Sequence, residues 1–239
     1  SRFYVGEEAY ERFGEIDFPA FRSERQLPRK IKAWHTKELG AAKAREWQQM
    51  LRFMEPEDRR NQIGSVQFQY WVKNRFVGWM ERKQEAMDVA TKLYTAAIEE
   101  DVPAWEIAAA ARLGDMFQSF MQSLYDAPID PSIRDDQELV DIYRDALDEK
   151  ARPFREQAIK AFQHCLGVAT ENRWFNEWSR SCEASLNKLD PRQYPISDEL
   201  RAQPGYGHSP VAEPRMIKRL QTIEEREAEA AAADTGRQE

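Results

Sequence analysis

The chain has 239 residues, 41% of them hydrophobic and 32% charged, with a net charge of −7 at pH 7. That length can bury a sizeable core, and a charged fraction above the globular average suits helices that each expose a long charged face. The acidic balance argues against a general nucleic-acid binder, which needs a basic stripe, and no apolar run is long enough for a spanning helix.

The sequence opens at Ser1 without a methionine or a basic-then-apolar leader, which fits either a processed N-terminus or one that never carried a signal. Residues 1–30 read as an extended strap broken by Pro19 and Pro28. Phe3, Tyr4, Tyr10, Phe13, Phe18 and Phe21 lie along it, too many aromatics to stay solvated. They have two open uses: packing on the chain's own helices, or docking of Phe3, Tyr4, Phe13, Phe18 and Phe21 on a partner.

A helical-repeat domain is expected over 31–191. Ile31, Trp34, Leu39, Trp47, Met50, Leu51 and Met54 recur at helical spacing until Pro56 ends the segment. A long helix follows from about Val66 to Glu100, with Phe68, Trp71, Phe76, Trp79, Met87, Ala90, Tyr94 and Ala97 on one broad core-facing side. Pro103 suits a first helical position, with Asp101 as candidate N-cap, and the alanine cluster 108–111 invites a close neighbour. "DAPIDPS" is a linker. Helices are predicted over 135–150, with Pro153 breaking or kinking the chain, then over 157–171 and 176–189. A Pro/Gly-rich coil over 192–215 and a charged helix and tail over 216–239 complete the chain. No alternating run predicts a strand, so the class is all-α.

Small residues recur at fixed offsets around aromatics. Ala90, Tyr94 and Ala97 are spaced like the second helix of a tetratricopeptide repeat, and Ala158, Phe162 and Cys165 repeat the spacing. Leu113, Gly114 and Phe117 match its first helix. In such repeats the small residue admits a neighbouring helix and the aromatic fills the gap.

Over residues 31–207 the chain also resembles the C-terminal part of large tetratricopeptide-repeat proteins of myxobacteria and their relatives, some of them assigned to the cell envelope or to adventurous gliding motility. The marks are Pro128, "YRDAL" at Tyr143–Leu147, "FNEWS" at Phe175–Ser179 and "LDP" at Leu189–Pro191. The resemblance implies a helical-repeat fold, protein partners and a bacterial envelope or periplasmic location.

Cys165 and Cys182 are the only cysteines. If 157–171 and 176–189 form an antiparallel hairpin, the two lie about equally far from its turn, at one height on facing helices. Either a bridge or two unbridged core thiols fits that placement. A metal site lacks further ligands, and a thioredoxin-type pair would need CxxC. The oxidising compartment implied by the resemblance favours the bridge.

His35, His164 and His208 stand apart from any carboxylate or cysteine constellation in sequence, and no catalytic motif occurs. No catalytic residue, metal or cofactor is therefore expected. Most of the seven tryptophans suit packing between non-ideal repeats, while Trp174 and Phe175, just after a turn, could cap the stack or anchor a partner. Arg22, Arg25, Arg29, Lys30, Lys32 and Lys37 form a basic stretch that is either a solvated face or a contact for an acidic partner or phospholipid surface.

The expectation is a tetratricopeptide-like solenoid of long helical hairpins with irregular arms. Its function would be that of a non-enzymatic protein-binding scaffold in an envelope assembly linked to motility or transport. It would bind other subunits and no nucleic acid, and it would meet the membrane through its partners without spanning it. An accessory subunit of another large membrane complex is the alternative. An enzyme with an unrecognised helical site, and a peptide or polysaccharide receptor using tryptophans, are more distant ones.

Overall fold

A computed structural model describes residues 2–196, and these are helical, with no strand among them. The predicted helix over 216–233 and all but the first five residues of the predicted coil lie outside the described residues.

The strap is the first correction. Arg2–Gly14 forms helix α1 and only the segment after it is extended. Phe3, Gly6, Glu7, Tyr10 and Phe13 follow helical spacing, but a carboxylate inside the stripe disguises it. Phe3 and Phe13 are almost fully buried, which stabilises by roughly 2–3 kcal/mol each. The carbonyls freed at the end of α1 are satisfied from a distance: Lys83 donates to Phe13 O and, at 3.2 Å, to Ile16 O. Burial lowers the pKa of this lysine.

The extended part crosses the next helices and is pinned there. The Trp71 indole donates to Pro19 O at 3.1 Å and that of Trp79 to Ile16 O at 3.3 Å. The Gln67 carboxamide accepts from Glu24 N (2.7 Å) and donates to Glu24 O (3.0 Å).

The single helix expected over 31–54 is two, α2 (Arg29–Leu39) and α3 (Ala41–Phe53). Gly40 separates them at φ +87°, a conformation that glycine adopts without a Cβ penalty. Arg59 closes the end of α3 by donating to Leu51 O (2.7 Å) and Met54 O (2.9 Å). The following helix starts earlier than predicted, at Pro56, which takes the first-turn position where a missing N–H costs nothing. It continues as α4 (Pro56–Trp71), a π-helical turn (Val72–Phe76) and α5 (Val77–Ile98). The wider turn brings residues five apart onto one side, so Trp71 stacks on Phe76 (5.2 Å) and Phe76 on Trp79 (5.6 Å).

Helix α6 (Pro103–Tyr125) begins at Pro103 as expected, but Val102 occupies the N-cap position. Asp101 instead takes the left-handed turn conformation at φ 54° and makes no side-chain cap. Helix α7 (Gln137–Glu171) continues for 35 residues with Pro153 inside it, where a break or kink is expected; the chain does not break there. Proline at this position forfeits a bond to the carbonyl of Glu149. Both residues are exposed, so water takes that carbonyl, while Ala151, Ala158 and Phe162 hold the opposite face in the core. The Tyr143 hydroxyl donates to Pro128 O at 2.9 Å, tying the start of α7 to the linker. Helix α8 (Glu177–Leu189) opens on a reciprocal cap between Asn176 and Ser179.

Contacts between elements follow an ordered pattern. α1 packs on α5 and α6, α6 on α5, α7 and α8, and α7 on α8; α2 and α3 pack on each other and on α4, and α2 also reaches the π-helical turn through Glu38 and Lys73, 2.8 Å apart. Two interfaces share one device. A Cβ on Gly6 of α1 would lie 2.6 Å from the Tyr94 ring of α5, and one on Gly114 of α6 would overlap the Phe162 ring of α7, 2.5 Å from its Cδ1. Ala90, Tyr94, Ala97, Ala158 and Phe162 are fully buried, Leu113 is nearly so, and Phe117 packs at the core's edge.

Candidate functional site

Aromatic side chains proposed for a partner are mostly used internally. Phe18 packs on Trp79 (4.9 Å) and Phe76 (6.0 Å), and Phe21 on Phe68 (5.4 Å) and Trp71 (5.7 Å). Phe3 packs against Tyr94 and Trp105. Trp174 and Phe175 are half-buried against the core. Of the set, Tyr4 alone is exposed, at 49%. Their burial follows from the helix that the first residues form, which turns Phe3 and Phe13 inward.

Beneath α1 sits a polar node that the sequence did not announce. Glu7 and Arg112 are both buried and pair through two bonds, Nε to Oε1 at 2.8 Å and Nη2 to Oε2 at 2.7 Å. The Tyr94 hydroxyl adds a third bond to Oε1 at 2.5 Å, and the guanidinium lies over the rings of Tyr10 and Trp178. Desolvation raises the pKa of Tyr94, reinforced by the Glu7 charge. Desolvation also pushes Asp115 up to about 6, against the pull of Arg112 and with a further push from Glu7. This node is closed to ligands and joins α1, α5 and α6; it is a fastening rather than a reaction centre.

Cys165 and Cys182 are fully buried at disulfide distance, with Cα atoms 6.6 Å apart, on α7 and α8. The hairpin turns at Arg173, in the left-handed conformation at φ 50°, as the equal spacing from the turn anticipated.

Two concavities among the described residues bear on function. The first is a polar cleft of about 360 Å³ where the α5–α6 turn meets the end of α7, lined by Asp101, Glu106, His164, Glu171 and Asn172 among others. His164 Nε2 lies 2.8 Å from Glu106 Oε1. The partners are 58 residues apart, so no local motif in the sequence could show this pair. A His–carboxylate pair can hold or pass a proton, but the cleft lining holds no serine, threonine or cysteine to act as nucleophile.

The second is a groove of about 300 Å³ between the extended segment and α4. Phe21, Pro28, Ile31, Tyr70 and Trp71 supply apolar lining, and Arg22 and Arg75 bring positive charge that Glu24 in the same lining partly offsets. Pinning of the segment by Gln67 and Trp71 preforms this groove. Sequence reading missed it because its walls come from residues more than 40 positions apart.

Among the described residues no group of histidine, cysteine and carboxylate side chains is placed to hold a metal ion, and no helix is long and apolar enough to cross a membrane. No family model, curated protein or solved structure matches the chain.

Proposed function

We propose that this chain is a non-enzymatic protein-binding scaffold built as a short tetratricopeptide-like stack, working in a bacterial envelope assembly linked to motility or transport. The shared packing of Gly6 under Tyr94 and Gly114 under Phe162 carries this reading. On it, α1 and α5 form one hairpin, interrupted by α2–α4, α6 and α7 form the next, and α8 opens a third. Stacks of this kind present preformed surfaces to extended partners. The groove beside α4 offers such a surface, with room for a few side chains and with Arg22, Arg75 and Glu24 to meet polar groups of either sign.

The accessory-subunit alternative asks the aromatic strap to face other subunits, whereas those rings face Trp71, Phe76 and Trp79. The enzyme alternative has one observation in its favour, the His164–Glu106 pair, which could act on water as a general base. In-cell cross-linking with mass spectrometry tests the scaffold reading. It expects links from the groove edge to one recurrent partner; links confined to the chain itself would contradict it.

A further inference from the structure

The hairpin α2–α3 is an appendage whose outer surface the scaffold reading leaves unused. Its inner face is committed: Trp34 packs on Tyr70 at 5.3 Å and His35 on Trp47 at 4.7 Å, while Ala44 is buried. The outer face differs in charge from the rest of the molecule. Residues 22–60 carry eleven basic and six acidic side chains, a net of +5, so the remaining residues hold −12 of the chain's total of −7. On α2, Arg29, Lys30, Lys32 and Lys37 are all exposed. On α3 the exposed side carries Met50 and Phe53, three positions apart; Arg52 adjoins Phe53 and Lys43 and Arg45 lie further back, while the exposed acids Glu46, Glu55, Glu57 and Asp58 lie within and just beyond the helix, so that four of the five net positive charges belong to residues 22–39. Phe53 is 90% exposed, more than any other large apolar residue described, and it sits at the corner where α3 ends.

We infer that this face docks on an anionic phospholipid surface, with Phe53 and Met50 entering the boundary between headgroups and acyl chains and the surrounding lysines and arginines meeting lipid phosphates. A convex helix bearing a protruding aromatic ring amid basic residues has the composition of an interfacial anchor, where apolar insertion and charge attraction act together. The charge sign selects the surface: an anionic leaflet attracts the +5 region and repels the remainder, which orients the protein with α2–α3 downward. The acidic remainder does not cancel this attraction, because at physiological ionic strength charges are screened beyond about 8 Å, while α3 alone, with 13 residues, is about 20 Å long. An acidic protein surface is the competing occupant, and the vesicle test separates the two.

Sedimentation of the full chain with vesicles tests this. One set is phosphatidylcholine alone, the other an equimolar mixture of phosphatidylcholine and phosphatidylglycerol. Binding to the second set only, weakened by salt, is expected. Each basic residue at such a surface contributes about fivefold, so Lys43→Glu with Arg52→Glu should cut partitioning by well over tenfold. Phe53→Ser should lower it several-fold while leaving the thermal melt unchanged, since the ring touches little of the protein. Absence of binding by the wild-type chain would overturn the proposal, as would binding indifferent to both variants. Equal, salt-sensitive binding to polyglutamate that ignores Phe53→Ser would also overturn it, and would assign the face to an acidic protein instead.

Discussion

Replacing Gly114 with alanine tests the packing that orders the whole stack. A Cβ at this position would sit 2.5 Å and 2.6 Å from Cδ1 and Cζ of Phe162, and nearer still to Cε1. Real Cβ contacts are never this short, so either α6 and α7 part or the ring leaves its place. Phe162 is fully buried with Ala158 and Cys165 on its own helix beside it, so it has little room to turn. Overpacking of this kind costs up to about 3 kcal/mol. Alanine is also the better helix former, by about 1 kcal/mol, which leaves a net loss of roughly 2 kcal/mol. For a chain of this size that corresponds to a fall in Tm of about 4–8 °C. Gly167, in α7, provides the internal control: no atom lies within 4 Å of its would-be Cβ. Gly167→Ala should therefore raise Tm by about 2–4 °C. Thermal melts followed by circular dichroism read both values, and Gly114→Ala combined with Phe162→Leu should recover part of the loss. If the two alanine variants shifted Tm in the same upward direction, the close approach of α6 and α7 at Gly114 would be refuted.

Three further outcomes follow from the buried groups. Glu7→Gln removes the two-bond carboxylate partner of the buried Arg112 and should cost roughly 3 kcal/mol in urea unfolding; Glu7→Gln with Arg112→Met should cost much less than the single change. Asp115, raised to about 6 by burial, binds its proton more tightly folded than unfolded, so its contribution to stability grows as pH falls through 6 and levels off below the unfolded value of about 3.9. Asp115→Asn should remove that slope, seen as a difference in pH-dependent melts between the variant and the parent; identical slopes would contradict it. The Cys165–Cys182 pair, 17 residues apart, should be oxidised in the native protein and its reduction should cost about 3 kcal/mol; an intact mass showing two alkylatable thiols without reductant would contradict this.

How much of this could be read from the residues depended on the distance over which each feature is decided. Pro103 at the head of α6, the helix expected over 176–189 and the inward run of Ala90, Tyr94 and Ala97 are local patterns, and each appears in the structure. Helix α1 was hidden because its core stripe includes Glu7, and that carboxylate tolerates burial through Tyr94 and Arg112, 87 and 105 residues away. Pro153 suggested a break, yet the bond it forfeits lies on the water side of a helix anchored by its other face. Gly40 does break its helix, because nothing packed across it compensates. The π-helical turn depends on the register of Trp71, Phe76 and Trp79 against the extended segment, which no single-helix period encodes. Both concavities draw their walls from distant segments, so neither was visible as a motif.

The scaffold reading is tested most directly by a photoreactive residue placed in living cells at Arg75, on the groove edge, with Asp88, exposed on α5, as the comparison site. The account predicts that Arg75 yields one discrete adduct with another protein, lost when Arg22→Glu is added, and that Asp88 yields none. Equal labelling at both positions, or no adduct at Arg75, would contradict it.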